Sequence, residues 1–226
     1  MNFFDSFYKK DKDQKKMNFS LEVGPHTDLE TLPPVKDVYV TMLPGGDYKE
    51  TAAKSGDLVK KGFNPVPHFP ARSILDEHQL KDFITRCKDV GTKQALVIGG
   101  SRDPIGKFDS SIQILETGFF EGIKIGIAGH PEGSPDISDK ELEKAMMDKK
   151  PYADYIVTQW LLDSQPIVDF ISKQSVPVHV GITGPMKISS LIKFANIVGA
   201  KNSINFLRSN FSKALDLLKP KDPNDL

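Results

Sequence analysis

After Met17, short β-branched runs alternate with longer amphipathic stretches, and this alternation constrains the fold more than any other feature of the chain. The runs predict strands over Asn18–Val23, Asp37–Met42, Pro65–Phe69, Gln94–Gly99, Lys124–Ala128, Tyr155–Gln159 and Val178–Ile182. The stretches between and after them predict helices over Tyr48–Lys61, Asp76–Val90, Ser110–Phe120, Ser138–Lys149, Gln165–Lys173, Ile188–Val198 and Ser203–Leu218. Asp76, Ser138 and either Asp109 or Ser110 stand where N-caps belong, and Gly62, Gly91 and Gly199 where helices end. Strands that alternate with helices build βαβ units and a parallel sheet. The strand runs are nearly continuously apolar, as strands covered on both faces must be.

Strand starts recur about every 19–31 residues, the repeat of a (β/α) barrel. The fold expected is α/β, of the (β/α)8 TIM-barrel type, with seven strands recognisable and the eighth missing or truncated. Beyond the seventh come two helical patterns and then Lys219-Pro-Lys-Asp-Pro-Asn-Asp-Leu226, too polar for a buried strand. An open barrel, a truncated chain and a doubly wound sheet all accommodate this order. No GxGxxG follows a strand, which disfavours a dinucleotide-binding sheet; a truncated reading frame is the preferred expectation. Residues 1–16 read as a polar tail, with Met17 as an alternative start, and residues 17–226 as one barrel domain.

Composition narrows the function. Thirty basic residues balance thirty acidic ones, so nothing electrostatic calls for nucleic acid or an anionic membrane as partner. The longest apolar runs are about six residues, against the ~20 needed to span a bilayer. Cys87 is the only cysteine, which removes internal disulfides and CxxC metal sites and points to a reduced, cytoplasmic setting.

In a (β/α) barrel the chemistry gathers where the strands end, because the loops there converge on one face. Glu22 lies inside the first strand, where burial would raise its pKa and suit it to general-acid work; a structural ion pair is the alternative. Later strand ends carry Thr41, His68 with Arg72, Gly99-Gly100-Ser101-Arg102-Asp103, Gly129-His130-Pro131-Glu132, Gln159 and Gly181-Ile182-Thr183-Gly184. One such group is noise, whereas six strands in succession mark a ligand site. A metal held by His68, His130, Asp103 and Glu132 is disfavoured, since no HxH or HxxE spacing occurs. GxSxG is absent, and the rim has no cluster of lysines for Schiff-base chemistry. What remains is a site rich in hydrogen-bonding groups, able to hold and tune a large organic cofactor.

In chain order these strand ends resemble methylenetetrahydrofolate reductase, the flavin-dependent barrel enzyme of one-carbon and methionine metabolism. The segments are Ser20-Leu21-Glu22-Val23, Val40-Thr41 with Gly45-Gly46, Pro67-His68, Ser101-Arg102-Asp103-Pro104, Gly126-Ile-Ala-Gly-His-Pro-Glu-Gly133 and Ile156-Val157-Thr158-Gln159. The likeness runs from about Phe19 to about Gly199 and is nearest to a divergent bacterial branch. It implies that NAD(P)H reduces FAD, and that the reduced flavin passes a hydride to 5,10-methylenetetrahydrofolate, giving 5-methyltetrahydrofolate. By the same likeness Glu22 is the general acid and also touches substrate. Asp103 contacts folate and biases the flavin. Thr41, His68, Arg102, Ala128 and His130 line the FAD, and Gln159 holds folate or nicotinamide.

The sequence departs from the family in four places, one being a lysine usual before the sixth strand, which only Lys149 or Lys150 matches, after a shift. His130 stands where the family has an aromatic residue, the glycine loop is reshaped to Leu43-Pro44-Gly45-Gly46-Asp47, and the eighth strand is missing. A barrel lacking that strand exposes two sheet edges, which a homo-oligomer or the aromatics of the N-terminal tail would cover. The departures keep two further readings open: a non-catalytic folate- or flavin-binding module partnering a methyltransferase, and a flavin-free reductase of the same fold.

Overall fold

The computed structural model describes residues 18–101, 103–134, 137–160 and 164–184. Its seven strands are β1 (Leu21–Val23), β2 (Asp37–Val40), β3 (Asn64–Pro70), β4 (Gln94–Ile98), β5 (Lys124–Gly129), β6 (Tyr155–Thr158) and β7 (Val178–His179). All neighbours pair in parallel, in sequential order from β1 to β7. The helices α1 (Tyr48–Lys60), α2 (Glu77–Asp89), α3 (Ser111–Leu115), α4 (Asp139–Lys149) and α5 (Ser164–Ser172) lie between consecutive strands from β2 onward. The first crossover carries only a 3-10 turn, Leu29–Thr31. The sheet curls into a half-barrel of TIM type, as parallel strands in sequential order with one-sided crossovers must.

The local chemistry explains the boundaries. Asp76 accepts the backbone N–H of Gln79 at 2.8 Å to start α2, and Ser138 and Glu141 form a reciprocal capping box at α4. Ser110 is the N-cap of α3, with the Gln113 side chain accepting its N–H at 3.2 Å. Gly62 and Gly91 follow α1 and α2 at φ of 87° and 94°, a conformation costly to any residue with a Cβ. The sequence pattern predicts a helix over Ser110–Phe120, but α3 ends at Leu115. There the Thr117 hydroxyl donates to the Ile114 carbonyl at 2.7 Å, and Gly118 turns the chain at φ 72°. The predicted helices at 188–198 and 203–218, the proposed cap Gly199 and the tail lie outside the described residues.

Two edges are shorter than the sequence predicts. Asn18–Ser20 and Val180–Ile182 lie outside β1 and β7. Both flank the open side of the half-barrel, where no described strand offers their backbone groups a ladder.

Strand alternation divides the core in two. Outward-facing Phe69, Val97, Ile127 and Ile156 pack under the helices with Leu80, Phe83, Ile84 and Ile114. Phe69 meets Phe83 at 4.1 Å between ring centroids and Phe120 edge-on at 5.1 Å; burying such a ring fully contributes about 1.5–3 kcal/mol. Inward-facing Tyr39, Val66, Leu96 and Tyr155 form a second cluster inside the barrel, flanked by Ile98 and Val157. No helix among the described residues is long and apolar enough to cross a membrane.

Candidate functional site

The strand ends of a parallel barrel face one mouth, and Glu22, Thr41 and His68 reach it from adjacent strands β1, β2 and β3. The Thr41 N–H donates to the Val23 carbonyl at 2.9 Å, and its hydroxyl donates to the same oxygen at 3.3 Å. Thr41 thereby ties the end of β2 to β1.

His68 is buried among β3 neighbours, and its Nε2 has no hydrogen-bond partner. Desolvation pushes its pKa down to about 4, so the imidazole is neutral at physiological pH. Glu22 Oε2 lies 3.9 Å from His68 Nε2. Glu22 faces the open mouth with 56% of its side chain exposed, yet the protein around it still removes enough water to hold its pKa above the ordinary carboxylate value. A neutral imidazole at this distance carries no charge to pair with the carboxylate.

The other rim residues come from β4, β5 and β6. Asp103 is exposed in the loop after β4; its predicted neighbour Arg102 lies outside the described residues. That loop is tied down by Arg72, whose Nε donates to the Asp109 carbonyl at 2.8 Å and whose N–H donates to the Gly99 carbonyl at 2.9 Å. Ala128 is half-buried in β5, and half-buried His130 opens a turn closed by the Gly133 N–H on the His130 carbonyl at 3.1 Å. Gln159 N–H donates to the Gly129 carbonyl at 2.9 Å, and its side-chain oxygen accepts the Trp160 N–H at 3.0 Å. Gly181 seats β7 on this corner: its N–H donates to the Thr158 hydroxyl at 2.9 Å, and a Cβ there would lie 2.6 Å from the Thr158 carbonyl oxygen. Among the described residues no three His, Cys, Asp or Glu side chains come together as a metal site.

Below the mouth lies a polar and aromatic layer that the strand-end reading misses. The Tyr39 hydroxyl of β2 hydrogen-bonds Nδ1 of His179 in β7 across the interior at 2.8 Å. His179 stacks on Tyr155 of β6 at 4.6 Å and 23°. Tyr155 donates to the Ala95 carbonyl at 3.4 Å. Burial holds both phenols protonated, well above their usual pKa. Deeper still, Asp37 Oδ1 accepts from Asn64 Nδ2 at 3.1 Å and from Gln94 Nε2 at 3.2 Å, closing the far end with a satisfied polar layer. The signal for these residues is alternation: Asp37 and Tyr39 share one face of β2, and His179 interrupts an apolar run.

With this geometry in place, comparison with solved structures identifies the same architecture elsewhere. A protein of Burkholderia cenocepacia J2315 described as a candidate phosphonomutase superposes with a TM-score of 0.52 at 10% identity, over 87% of this chain and 94% of that one. An uncharacterized Clostridium thermocellum protein, which binds two copies of 5-methyl-5,6,7,8-tetrahydrofolic acid, superposes with a TM-score of 0.53 at 12% identity, over 91% of this chain and 85% of that one. No protein-family model matches the chain. At these identities the likeness establishes the barrel-type fold.

The mouth also bears on the expected flavin. Its β4–β5 sector is small-chained, with Gly99, Gly100 and Ala128, and a Cβ on Gly99 would meet nothing within 4 Å. A flat heterocycle fits against such a surface, and the unpartnered His68 Nε2 is a polar atom of the kind a ring edge would satisfy. The mouth thus offers open space over Gly99 and a polar atom without a partner at His68.

Proposed function

We propose that this chain binds a reduced folate at the mouth of the barrel and reduces 5,10-methylenetetrahydrofolate to 5-methyltetrahydrofolate with FAD and NAD(P)H. The observation that carries the reading is the Glu22–His68 pair: a carboxyl held above its ordinary pKa, 3.9 Å from a buried neutral imidazole with an unpartnered nitrogen. The sequence resemblance and the folate-binding Clostridium thermocellum protein of like fold support it.

On this reading Glu22 carries the proton that opens the folate's five-membered ring to an iminium. Its raised pKa keeps the carboxyl protonated nearer neutrality than an ordinary glutamate. Neutral His68 leaves that proton in place, because it supplies no positive charge to favour the carboxylate. Gln159 orients folate or nicotinamide from the end of β6. Thr41, His68, Asp103, Ala128 and His130 would hold FAD, with Arg102 beside them in sequence; when bound, the flavin supplies hydride transfer.

Calorimetric titration with 5-methyltetrahydrofolate tests the binding step. Saturable binding is expected; none at about 1 mM ligand, a free energy of only about 4 kcal/mol, overturns the folate assignment. Anaerobic addition of NADH and then methylenetetrahydrofolate to FAD-supplied protein tests the chemistry. Folate binding without hydride transfer would identify a binding module instead.

A further inference from the structure

Tyr39 occupies a place that neither the strand-end reading nor the proposed reaction uses. It pairs in register with Glu22 across the β1–β2 ladder. Its ring meets the His68 ring edge-on, with centroids 6.0 Å apart and planes at 71°. Its hydroxyl is held from the far side of the barrel by His179 Nδ1 at 2.8 Å. His179 is fixed in turn by its stack on Tyr155. One buried ring therefore meets His68 edge-on, neighbours Glu22 in the strand register, and is anchored to the opposite edge of the sheet.

The anchor matters because His68 Nε2 has no hydrogen bond. Most imidazoles are oriented by a hydrogen bond to one ring nitrogen. No hydrogen bond holds Nε2 itself, so packing helps to aim it toward Glu22, and the Tyr39 ring supplies a wall of that packing. The Tyr39 hydroxyl can donate to His179 Nδ1 or, in the other imidazole tautomer, accept from it, and the bond ties the two strands in either case.

We propose that Tyr39 is a positioning residue for the Glu22–His68 pair, and that its hydrogen bond to His179 across the barrel holds it in that task. The inference rests on the reading of Glu22 as the acid. The ionisable groups facing His179 are Tyr39, Tyr155, Asp37 and Lys124, and those facing Glu22 are His68 and Tyr39.

The test uses NMR of the ligand-free full chain, so it stands whether or not folate binds. Long-range proton–nitrogen spectra report the imidazole tautomers, and carbon-13 shifts report the Glu22 carboxyl titration. Tyr39→Phe keeps the ring and removes only the anchoring hydroxyl; His179→Gln keeps an acceptor for it, and His179→Leu removes that acceptor. In the wild type a single, well-defined His179 tautomer is expected, and its identity shows which partner donates in the Tyr39 bond. Tyr39→Phe and His179→Leu are expected to broaden the His68 ring signals and move the Glu22 midpoint toward the ordinary carboxylate value, while His179→Gln restores both. Where turnover is measurable, Tyr39→Phe is expected to lower kcat about tenfold, a fraction of what a general acid contributes, with KM little changed. A folded Tyr39→Phe protein with altered His179 signals but wild-type His68 and Glu22 behaviour would overturn the proposal. Failure of folate to bind, with the NMR changes present, would overturn only the functional reading.

Discussion

Tyr155 lies against Gly126, so closely that a methyl group on Gly126 would sit 2.5 Å from the tyrosine ring. The two residues are register partners on β5 and β6. Glycine at 126 thus makes room for the ring on which His179 stacks. Gly126→Ala forces the ring away from its place, and overpacking of this kind costs about 1–3 kcal/mol. Urea denaturation should show that loss, and NMR should show altered His179 ring signals. A variant of wild-type stability would show that the ring has room to shift.

His68 should make the protein acid-labile. Its folded pKa of about 4 lies below the ordinary histidine value of 6.5. Between those values the unfolded chain binds more protons than the folded one, so stability rises with pH across this window. The stabilising difference is complete above pH 6.5 and is lost as pH falls toward 4, amounting to roughly 3 kcal/mol. Glu22 works oppositely: its raised folded pKa makes the folded state the better proton binder just above 4.5, so its contribution falls as pH rises there. Unfolding of the wild type and His68→Asn at several pH values isolates the histidine. The stability gap between them should widen in favour of the wild type from pH 4 to 6.5, and a constant gap would sink the assignment.

Much of this was legible in the sequence. All seven strands were, because a strand buried on both faces must be written as an apolar run, and Gln94–Ile98 and Tyr155–Thr158 are such runs. The caps at Asp76 and Ser138 were legible for the same local reason. What failed depended on partners distant in the chain. The extents of β1 and β7 follow their pairing with β2 and β6, a partner relation that no local pattern encodes. Glu22, Thr41, His68 and Gln159 stood out as candidates because they sit at or near strand ends. Tyr39, Tyr155 and His179 sit on inward faces, and their meeting requires the curl of the sheet to bring β2 to β7.

Lys149 offers a stability gain away from the mouth. It ends α4, just before the turn into β6, at the opposite end of the barrel. The residue is buried and makes no ion pair with a described residue, and desolvation lowers its pKa. An ammonium in such a place is a net cost. Lys149→Met keeps the length and removes the charge, and should stabilise the fold by about 1 kcal/mol. The depressed pKa fixes the sign of the pH dependence: wild-type stability rises toward pH 10.5, so the advantage of the variant shrinks there. A destabilised variant would mean that the ammonium is satisfied.

Glu22→Gln separates the two halves of the proposed reaction. The amide keeps the size and a hydrogen-bonding edge beside His68, but it cannot deliver a proton. Reduction of FAD by NADH does not need that proton, whereas opening of the folate ring does. The variant should therefore bleach flavin at close to the wild-type rate and lose folate turnover by about 10²–10⁴-fold, the contribution of a positioned general acid. Wild-type folate turnover should also fall as pH rises through the raised Glu22 pKa, because the protonated form is the active one. The same high-pH loss in Glu22→Gln would place the titrating group elsewhere. Equal loss of both half-reactions would mean that Glu22 shapes the pocket rather than supplying the proton, and the chemistry would then have to begin from another donor on the rim.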